Sequence, residues 1–391
     1  MQKPILYLWV PNIFEFKGGI QVYLQDVIKA IKDNYKSLKI TVFDKLDKSL
    51  PDQEIYSTNI NFIFSGNAPE KLRTYNFTWQ LISQAWVKKP QLIICGHLNF
   101  AFIAFLLYQI TKTPYWIIVY GVDAWMVTNY WQKKALHQAE KIISISGYTR
   151  DRLIKEQNLK PEEIVILPVT FDASRFQIAP KPQRLLNRYG LKAEQPIILT
   201  VARLDNNERY KGYDQILQAL PQIRRSIPNI HYILVGKGAD RPRIEQLIKQ
   251  LALQECVTLT GFIPDEELGD HYNLCDVFAM PSKKEGFGIV YLEALACGKP
   301  VVGGNQDGAM DALAHGELGV MVDPDNIEAI AQTLIQILQN NYPHPILYQP
   351  QVLRQKVMEK FGFERFQQTV DELLQTHFIS CKDKPQPKFL A

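Results

Sequence analysis

The stretch VFAMPSKKEGFGIVYLEALACGKPVVGG, residues 277–304, decides which kind of fold this chain can form. Its first residues are a short apolar run that predicts a strand, and helical spacing begins near Ile289 and continues through VYLEALAC. Gly298 is well placed as the C-terminal cap of that helix, and Pro300 prevents the helix from continuing. A second apolar run, PVVGG, follows. A buried strand, a helix and another buried strand make up the unit of a parallel α/β sheet.

The same alternation of apolar runs and helical stretches occurs twice along the chain. The strand-like runs are ILYLWV, KITVFD, NFIFS, LIIC, YWIIV, KIISIS and IVILP in the first half, and PIILTVAR, IHYILVG, VTLTGF, VFAMPS, PVVGG and LGVMV in the second. Fully apolar strands that alternate with helices imply a parallel sheet covered on both faces. Two such series predict an α/β protein with two doubly wound, Rossmann-like domains.

The break between the two series lies near residues 168–195. It begins with PVTFDASRFQIAPKPQ, which contains three prolines and no periodicity, so we predict a linker there. The domains are therefore predicted at 1–175 and 176–360, and a chain of 391 residues is long enough for both. In open parallel sheets ligands bind beyond the carboxyl ends of the strands, so a cleft between the two domains is the expected site.

The composition is typical of a soluble globular protein, with 46% hydrophobic and 21% charged residues. The five cysteines are scattered and form no CxxC pair, which favours reduced thiols in a cytosolic setting over a disulfide framework or a zinc site. The N-terminal PILYLWV predicts a first strand and not a signal peptide. The most apolar helical stretch, FAFIAFLLYQI (100–110), is far shorter than the ~20 residues of a bilayer span.

The net charge of +4 is unevenly distributed. Residues 1–180 carry 21 Lys and Arg against 15 Asp and Glu, whereas residues 181–391 carry 23 against 25. We find no RNA- or DNA-binding motif, so a nucleic-acid partner is not expected. The basic first half suits an anionic acceptor, a loose contact with an anionic membrane face, or simply a solvated surface.

The loop before the predicted helix has the chemistry of an anion site. Helix starts leave backbone N–H groups without partners and carry partial positive charge, so the amides near Gly286, Phe287 and Gly288 suit a phosphate. Glu285 and Glu293 are eight positions apart, or ~12 Å along a helix, which is too far for a pair that shares a proton. On either side of an anion they suit sugar hydroxyls, which describes a nucleotide-sugar. The alternative is a surface glutamate and a helix glutamate with no shared role.

This segment resembles glycosyltransferase family 4, whose retaining enzymes have the GT-B fold and an E-x7-E motif, here Glu285 to Glu293. VARLDNNERYKGYD (201–214), VGKGAD (235–240), GFIPDEELGDHYNLCDVFAMPS (261–282) and an N-terminal GGI (18–20) occur in the order that the family shows. The resemblance covers roughly residues 5–378. It implies two Rossmann-like domains that face each other across a cleft, with a closing helix at 361–378 that returns to the first domain and a tail at 379–391.

The resemblance also implies roles for individual residues. Glu285 would contact the donor sugar, Glu293 the ribose hydroxyls, and Arg203 and Lys211 the diphosphate. The other donor positions that it implies are Gly18, Gly19, Gly236, Phe262, Ile263, Gly286, Phe287, Gly288 and Ile289, with Phe262 and Ile263 beside the base. Two cations can stabilise a leaving diphosphate without a metal ion, so neither a metal nor a cofactor is expected.

The sequence departs from the family pattern at three places. Tyr120 stands where members commonly carry a histidine beside the donor sugar, and a tyrosine is bulkier and does not titrate near neutral pH. Asp123 is a candidate on the acceptor side or the sugar, and His97 either supplies the missing imidazole or has a structural or acceptor-side role. In GGNQDGAMDAL (303–313), Asp307 or Asp311 replaces the usual glutamate, or neither does.

One acidic motif resembles a metal site but is better explained by helix capping. The DPD at 323–325 is similar to the metal-binding DxD of other glycosyltransferases. It lies directly before a helix predicted near Ile327, so Asp325 or Asn326 is expected to be the N-cap of that helix.

The expected function is retaining transfer of a hexose from a UDP- or GDP-sugar to a carbohydrate or lipid-linked acceptor, in cell-surface polysaccharide or glycolipid synthesis. The expected location is the cytoplasm, with a peripheral place on the inner face of the membrane as an option. Two alternatives stay open. One is a nucleotide-sugar-binding homologue without activity, which the tyrosine at position 120 motivates, and the other is a nucleotide-sugar epimerase of the same fold.

Overall fold

The computed structural model describes residues 3–15, 18–35, 38–51 and 60–382, so most of the predicted tail lies outside the described residues. The strands of the first half are β1 (Ile5–Val10), β2 (Lys39–Asp44), β3 (Ile60–Phe64), β4 (Leu92–Cys95), β5 (Tyr115–Val119), β6 (Lys141–Ser144) and β7 (Ile164–Ile166). Those of the second half are β8 (Ile197–Val201), β9 (His231–Val235), β10 (Val257–Gly261), β11 (Val277–Met280), β12 (Val301–Gly304) and β13 (Val320–Val322).

Helices separate most of the strands. They are α1 (Gly19–Asn34), α2 (Glu70–Lys88), α3 (Ala101–Thr111), α4 (Val122–Trp125), α5 (Tyr130–Gln138), α6 (Gly147–Gln157), α7 (Gln183–Tyr189), α8 (Tyr213–Ser226), α9 (Arg241–Gln250), α10 (Asp265–Leu274), α11 (Ile289–Ala296), α12 (Ala309–Ala312), α13 (Ile327–Leu338), α14 (Pro350–Phe361) and α15 (Phe363–Lys382). In the described part of the chain, no helix combines the length and the apolar character that crossing a bilayer requires.

The chain divides into two compact units. The first takes in the described residues of 1–145, 150–168 and 363–382, and the second takes in 146–149 and 169–362. The C-terminal helix α15 thus belongs to the unit that the N-terminal half builds. Within that unit, the Tyr35 hydroxyl donates to the carbonyl of Asp371, and His377 Nδ1 lies 2.7 Å from Glu140 Oε2.

The sheet of the first unit is parallel, with strand order β3-β2-β1-β4-β5-β6-β7. The five inner strands are largely buried because helices cover both faces, whereas the edge strands β3 and β7 are only partly buried. Helices α2, α3 and α5 share one apolar cluster with the sheet, through side chains such as Phe77, Leu107 and Leu136. On the opposite face, Val27 of α1 and Val370 of α15 line a small apolar cavity together with side chains of the central strands.

The second unit has a parallel sheet with strand order β10-β9-β8-β11-β12-β13. Its core cluster takes in the apolar faces of α8, α9 and α13, with Ile216, Ile244 and Leu334 fully buried. In both sheets the strand order reverses once, between β1 and β4 in the first and between β8 and β11 in the second. Such a reversal opens a crevice at the carboxyl ends of the two strands, which is where α/β sheets bind ligands.

The predicted fold class is confirmed. Twelve of the thirteen apolar runs contain one of the observed strands, and NFIFS overlaps β3, which begins one residue earlier at Ile60. The predicted end of α11 is also confirmed. Gly298 has a φ of +70°, and the N–H groups of Gly298 and Lys299 donate to the carbonyls of Leu295 and Ala294, which is the Schellman arrangement. The linker holds one helix that the sequence did not predict, the short α7, which ends at Gly190.

Candidate functional site

The second sheet brings two of the predicted residues to its point of reversal. Arg203 lies just after β8, and Glu285 lies in the loop after β11, the strand that pairs with β8. The two strands run parallel, so their carboxyl ends lie at the same edge. Residues 201–212 and 281–288 therefore form two neighbouring loops at the position where a ligand is expected.

Lys211 and Glu285 meet across these loops. The Lys211 ammonium forms an ion pair with Oε2 of Glu285, and both side chains are less than one-fifth exposed. Burial lowers the pKa of Lys211, but the Glu285 carboxylate and the neighbouring Tyr210 outweigh that effect, so its pKa is raised. Lys211 is thus a cation at neutral pH, and it lies beside the residue predicted to bind the donor sugar.

The backbone explains why this pair forms. Gly212 has a φ of +87°, and a Cβ atom there would lie 2.4 Å from the carbonyl oxygen of Pro281. Only glycine allows the two loops to pass each other so closely. The N–H of Lys283 donates to the carbonyl of Tyr210 at 3.0 Å, which ties the two loops together. Lys211 lies between these two contacts, so its position relative to Glu285 is set by the main chain.

Asp307 holds the Glu285 loop from the other side. Its Oδ2 accepts hydrogen bonds of 2.7 Å from the N–H of Glu285 and from the hydroxyl of Ser282, and its Oδ1 accepts from the N–H of Ala309. The N–H of Gly308 donates in turn to the carbonyl of Glu285. Asp307 is fully buried, and burial raises its pKa to about 6 against the lowering effect of these donors. The residue therefore positions Glu285 through the main chain and does not itself face a ligand.

The N–H groups at the start of α11 remain unused. Among the described residues, none accepts a hydrogen bond from the amides of Gly286, Phe287 and Gly288. Gly288 has a φ of +92° and caps the helix without a side-chain hydrogen bond. Phe287 is buried and its ring packs against that of Phe361 at 5.5 Å, which fixes the loop. The helix that begins at Ile289 therefore presents its amides next to the Lys211–Glu285 pair.

Arg203 completes the basic side of this group. Its side chain is half exposed and lies 3.0 Å from Glu208. Arg203, Lys211 and Glu285 all act electrostatically on the pKa of Tyr210, which burial raises. The four side chains thus share one region. Tyr210 carries no motif of its own, and nothing in the sequence predicted it as part of the site.

Glu293 has a separate environment. Its side chain is buried on α11, and its Oε2 accepts a 2.6 Å hydrogen bond from the hydroxyl of Tyr272. Burial raises the pKa of Glu293 to about 7, while the Tyr272 hydrogen bond and the charge of Arg175 act in the opposite direction. Tyr272 lies on α10, within the stretch that carries the family resemblance, but nothing in its spacing indicated this partner.

The predicted base-binding residues lie at the ends of β9 and β10. The N–H of Gly236 donates to the carbonyl of Gly261, and a Cβ atom on Gly236 would lie 1.8 Å from the carbonyl oxygen of Ala202. Phe262 is 59% exposed, and the ammonium of Lys237 lies 4.8 Å from the centre of its ring. Ile263, the next residue, is half buried. An exposed aromatic ring beside a cation is suited to stacking against a planar base.

The first unit holds the remaining predicted residues. Gly18 precedes α1 in an extended conformation and Gly19 is its first residue, with nothing within 4 Å of a Cβ atom placed there. The hydroxyl of Tyr120 donates to the carbonyl of Gly96 at 2.9 Å, so its hydrogen is already engaged. The ring centres of His97 and Tyr120 lie 6.4 Å apart. His97 therefore lies beside Tyr120, the residue that stands where the family carries a histidine.

Two further contacts in this region bear on the predictions. His97 Nδ1 accepts from the N–H of Asn99, and burial lowers the pKa of His97, so the imidazole is neutral with its proton on Nε2. Asp123 Oδ1 accepts from the N–H of Tyr120 at 3.0 Å, while its Oδ2 is buried without a partner among the described residues. Burial raises the pKa of Asp123 to about 6.

The remaining acidic candidates have protein partners. Asp311 accepts hydrogen bonds from the N–H groups of Gly147 and Tyr148 at the start of α6. At the DPD motif, Asn326 Oδ1 accepts from the N–H of Ala329, so Asn326 is the N-cap of α13, and Asp325 forms an ion pair with Lys283. Hydrogen bonds and an ion pair within the protein thus involve the acidic residues of both segments.

Comparison with known proteins gives two family matches. The model of the Glycosyltransferase Family 4 matches residues 17–175, and the model of Glycosyl transferases group 1 matches residues 183–351. The two matches correspond closely to the N-terminal half and to the second unit of the structure.

Curated relatives match over part of their length. A GDP-mannose-dependent alpha-(1-6)-phosphatidylinositol monomannoside mannosyltransferase of Mycolicibacterium smegmatis is 35% identical over 212 residues, which are 52% of this chain and 54% of the relative. O-antigen chain mannosyltransferase B of Escherichia coli is 28% identical over 218 residues, or 54% and 56%. The chain thus spans about half the length of the curated relatives that it matches.

Solved structures match over nearly the whole chain. Sucrose-phosphate synthase of Thermosynechococcus elongatus has a TM-score of 0.79 at 23% identity, over 97% of this chain and 100% of that one. Anabaena HepE in complex with UDP and glucose has a TM-score of 0.76 at 19% identity, over 95% and 100%. These structures show that the chain has the GT-B fold. The two family models, which together match residues 17–175 and 183–351, show that the chain belongs to glycosyltransferase family 4.

Proposed function

We propose that this chain is a retaining, metal-independent glycosyltransferase that moves a hexose from a nucleoside-diphosphate sugar to a hydroxyl group of a carbohydrate or lipid-linked acceptor. The observation that carries the proposal is the Lys211–Glu285 ion pair beside the unused amides of Gly286 to Gly288. Within one loop region, the cation and the helix start can bind a phosphate while the carboxylate binds a sugar.

The diphosphate is the first group that this arrangement can bind. Lys211, Arg203 and the helix amides offer positive charge and N–H donors at the carboxyl ends of β8 and β11. When the donor enters, its phosphates compete with Glu285 for Lys211. The Glu285 carboxylate then becomes available to accept hydrogen bonds from the sugar hydroxyls. Binding of the donor thus replaces the ion pair with contacts to both of its parts.

The same groups act in the transfer step. The bond between the anomeric carbon and the acceptor oxygen forms as the bond to the β-phosphate oxygen breaks, on the same face of the sugar. The acceptor proton passes to the leaving phosphate oxygen, which accounts for retention without an enzymic nucleophile. Negative charge grows on the diphosphate, where Arg203 and Lys211 stabilise it, and donors of this kind contribute about 10²–10³ in rate.

The nucleoside part has its own residues in the proposal. Glu293, with Oε2 hydrogen-bonded to Tyr272, is assigned to the ribose hydroxyls, and Phe262 and Ile263 to the base. Donors with either base are candidates, because one relative is named as GDP-mannose-dependent and HepE was solved with UDP. GDP-mannose is the first donor to test, since the relative named for it is 35% identical over half of this chain.

We further place the reaction in the cytoplasm, in the synthesis of a cell-surface polysaccharide or a glycolipid. The names of the relatives support this choice. One is named for a phosphatidylinositol monomannoside and another for an O-antigen chain, so the two names include a lipid-linked and a carbohydrate acceptor.

The test combines donor binding with transfer. Thermal unfolding is measured with GDP-mannose, UDP-glucose, GDP and UDP, and a ligand at 100 times its Kd should stabilise the protein by ~2.7 kcal/mol. Transfer of labelled hexose to a panel of glycan and lipid-linked acceptors is then measured for the wild type and for Glu285→Gln. The control is Glu245→Gln, an exposed glutamate on α9 that pairs with Arg241. We expect Glu285→Gln to lower transfer at least 100-fold and the control to leave it unchanged.

A second candidate is a subunit that binds a nucleotide-sugar without turning it over. It is favoured by Tyr120, whose hydroxyl is engaged with Gly96 at the place where the family carries a histidine. Donor binding without transfer to any acceptor would support it. Isomerised sugar after incubation with donor alone would instead indicate an epimerase. Full transfer activity in Glu285→Gln contradicts the proposed function.

A further inference from the structure

Helix α2 has two apolar stripes on opposite sides. Phe77, Leu81 and Ala85 are buried against the sheet of the first unit. The second stripe consists of Leu72, Tyr75, Trp79, Ile82 and Trp86. At ~100° per residue these five side chains fall within about 80° of arc, on the side of the helix away from Phe77. The packing of the unit accounts for the first stripe and for Ile82, which is partly buried against the same apolar cluster, but not for the other four residues.

The second stripe faces outward. Tyr75 is 75% exposed, Trp79 68%, Trp86 59% and Leu72 58%. Single exposed apolar side chains are common on protein surfaces, but a row of large apolar side chains, three of them aromatic, along about four turns of one helix is not. Such a row marks a surface that binds a partner.

The apolar surface continues onto the neighbouring helices. Helix α3 packs against both α2 and α5. Leu106 and Ile110 of α3 are exposed, as are Tyr130 and Trp131 of α5. The Trp131 ring lies 5.8 Å from that of Phe102 on α3, which joins the two helices at their surface. We call this surface the aromatic face, defined by Leu72, Tyr75, Trp79, Trp86, Leu106, Ile110, Tyr130 and Trp131.

The charge around the aromatic face is almost entirely positive. Helices α2, α3 and α5 carry the basic residues Lys71, Arg73, Lys88, Lys133 and Lys134, and their one acidic residue is Glu70, in the first turn of α2. Lys89 and Lys112 follow directly at the C-terminal caps of α2 and α3. The partner of this surface must therefore be negatively charged and must also accept aromatic side chains.

We propose that the aromatic face binds to the surface of an anionic lipid bilayer. Trp and Tyr side chains favour the boundary between headgroups and acyl chains, where their rings are buried and their polar atoms stay hydrated. The surrounding lysines can extend to lipid phosphates. A second copy of this chain is the less suitable partner, because it would bring two surfaces of the same positive charge together.

The inference extends the proposed function without depending on it, because lipid binding needs no donor and no acceptor. It gives the first unit a second role. A transferase held at a membrane by this surface would meet lipid-linked acceptors within the plane of the bilayer, at a local concentration far above that in solution.

Vesicle flotation tests the inference. The wild type is mixed with vesicles of phosphatidylcholine and phosphatidylglycerol, or of phosphatidylcholine alone, at low and at high salt. We expect binding to the mixed vesicles that is at least tenfold stronger than to the neutral ones and that weakens with salt. Equal binding to both kinds of vesicle, or no binding to either, overturns the proposal.

Two sets of variants locate the contact. Trp79→Ser with Trp86→Ser should lower binding at least tenfold and abolish the blue shift of Trp fluorescence that vesicles cause in the wild type. Lys71→Gln, Lys88→Gln and Lys133→Gln should each lower binding about fivefold, since one basic residue near an anionic surface contributes about 1 kcal/mol. The control is a double variant, Arg225→Gln with Lys249→Gln, which replaces two exposed basic residues of the second unit. Equal loss of binding in the control overturns the proposal.

Two further measurements distinguish lipid binding from misfolding of the variants and from self-association. All variants should keep the wild-type Tm and its increase with donor, because the substituted side chains are exposed; unchanged vesicle binding in the Trp variant at an unchanged Tm overturns the proposal. Light scattering without vesicles tests for self-association. A concentration-dependent dimer that Trp79→Ser abolishes would assign the aromatic face to a second copy of the chain and would also overturn it.

Discussion

Lys211 and Glu285 lie 74 residues apart in the sequence and form an ion pair at the carboxyl edge of the second sheet. The pair joins the loop after β8 to the loop after β11, two strands that are neighbours only because the strand order reverses there. The pair brings into contact the two groups that the proposed chemistry needs. They are a cation for the diphosphate and a carboxylate for the sugar. Changes to this contact, or to the residues that maintain it, should therefore alter transfer.

Removal of the Lys211 ammonium should reduce catalysis much more than stability. In Lys211→Ala the diphosphate loses one of its two cations, and kcat/KM should fall about 10²–10³-fold if the lysine acts mainly in the transition state. Steady-state transfer kinetics with GDP-mannose and UDP-glucose measure the loss. Lys249→Ala, which removes an exposed lysine on α9, is the matched control. Transfer within threefold of the wild type in Lys211→Ala would rule out the assigned role.

Two glycines with the same backbone conformation allow a test of the close approach between the loops at Gly212 and Pro281. Gly212 and Gly190 both have positive φ, but a Cβ atom on Gly212 would lie 2.4 Å from the Pro281 carbonyl oxygen, whereas one on Gly190 meets nothing within 4 Å. Gly190→Ala should cost about 1 kcal/mol from the backbone alone. Gly212→Ala should cost more, and it should also lower transfer because Lys211 moves. Denaturant unfolding measures both, and equal costs would contradict the steric role of Gly212.

Glu293 should make stability depend on pH. Its pKa is about 7 in the folded chain and 4.5 without the burial that raises it, so the folded state binds the proton more tightly. The stabilising contribution is therefore complete below pH 4.5 and is lost as the pH rises through 7. At about 1.4 kcal/mol per pKa unit, the wild type should lose on the order of 3 kcal/mol relative to Glu293→Gln over this range.

Unfolding of the wild type and of Glu293→Gln by guanidinium chloride at pH 5 and pH 8 checks this difference. The groups near Glu293 that act on its pKa are Tyr272, Arg175 and Asp265, of which Arg175 and Asp265 act in opposite directions. Glu245→Gln, on an exposed surface, should show the same pH dependence as the wild type. If the Glu293→Gln and wild-type curves stay parallel from pH 5 to pH 8, the carboxyl does not titrate in this range.

Tyr120 and His97 should differ in their effect on turnover. The Tyr120 hydroxyl is engaged with the Gly96 carbonyl, so Tyr120→Phe should cost about 1 kcal/mol of stability and change kcat less than threefold. His97→Ala removes an Nε2–H donor for which the described residues show no acceptor, and transfer should fall at least tenfold. Unfolding and kinetics of both variants provide the comparison. The reverse order, with Tyr120→Phe the more damaging to kcat, would restore the catalytic role to Tyr120.

Much of the fold could be predicted because its signals are local. Apolar runs such as VFAM and PVVGG are buried on both faces, and that requirement makes each strand recognisable by itself. Gly298 and Pro300 end α11 through their own backbone geometry, so the end of this helix can also be predicted from the sequence. The placement of Glu285 in a loop before a helix start followed from the same local rules.

The partners of the site residues could not be predicted from local sequence. The Asp307 carboxylate that holds the Glu285 loop, and the Tyr272 hydroxyl that binds Glu293, are contributed by residues more than twenty positions away. The outward stripe of α2 has the same helical period as the buried one, so periodicity alone does not tell which stripe contacts the sheet.

The sequence by itself determined that this chain forms two series of buried parallel strands with helices between them, and that a helix start flanked by two glutamates can receive a phosphate. Only the tertiary structure decided that Lys211 lies against Glu285, and that α2 presents an apolar row outward. The reason is physical: periodicity and capping depend on neighbouring residues, whereas the order of strands in a sheet depends on packing across the whole unit.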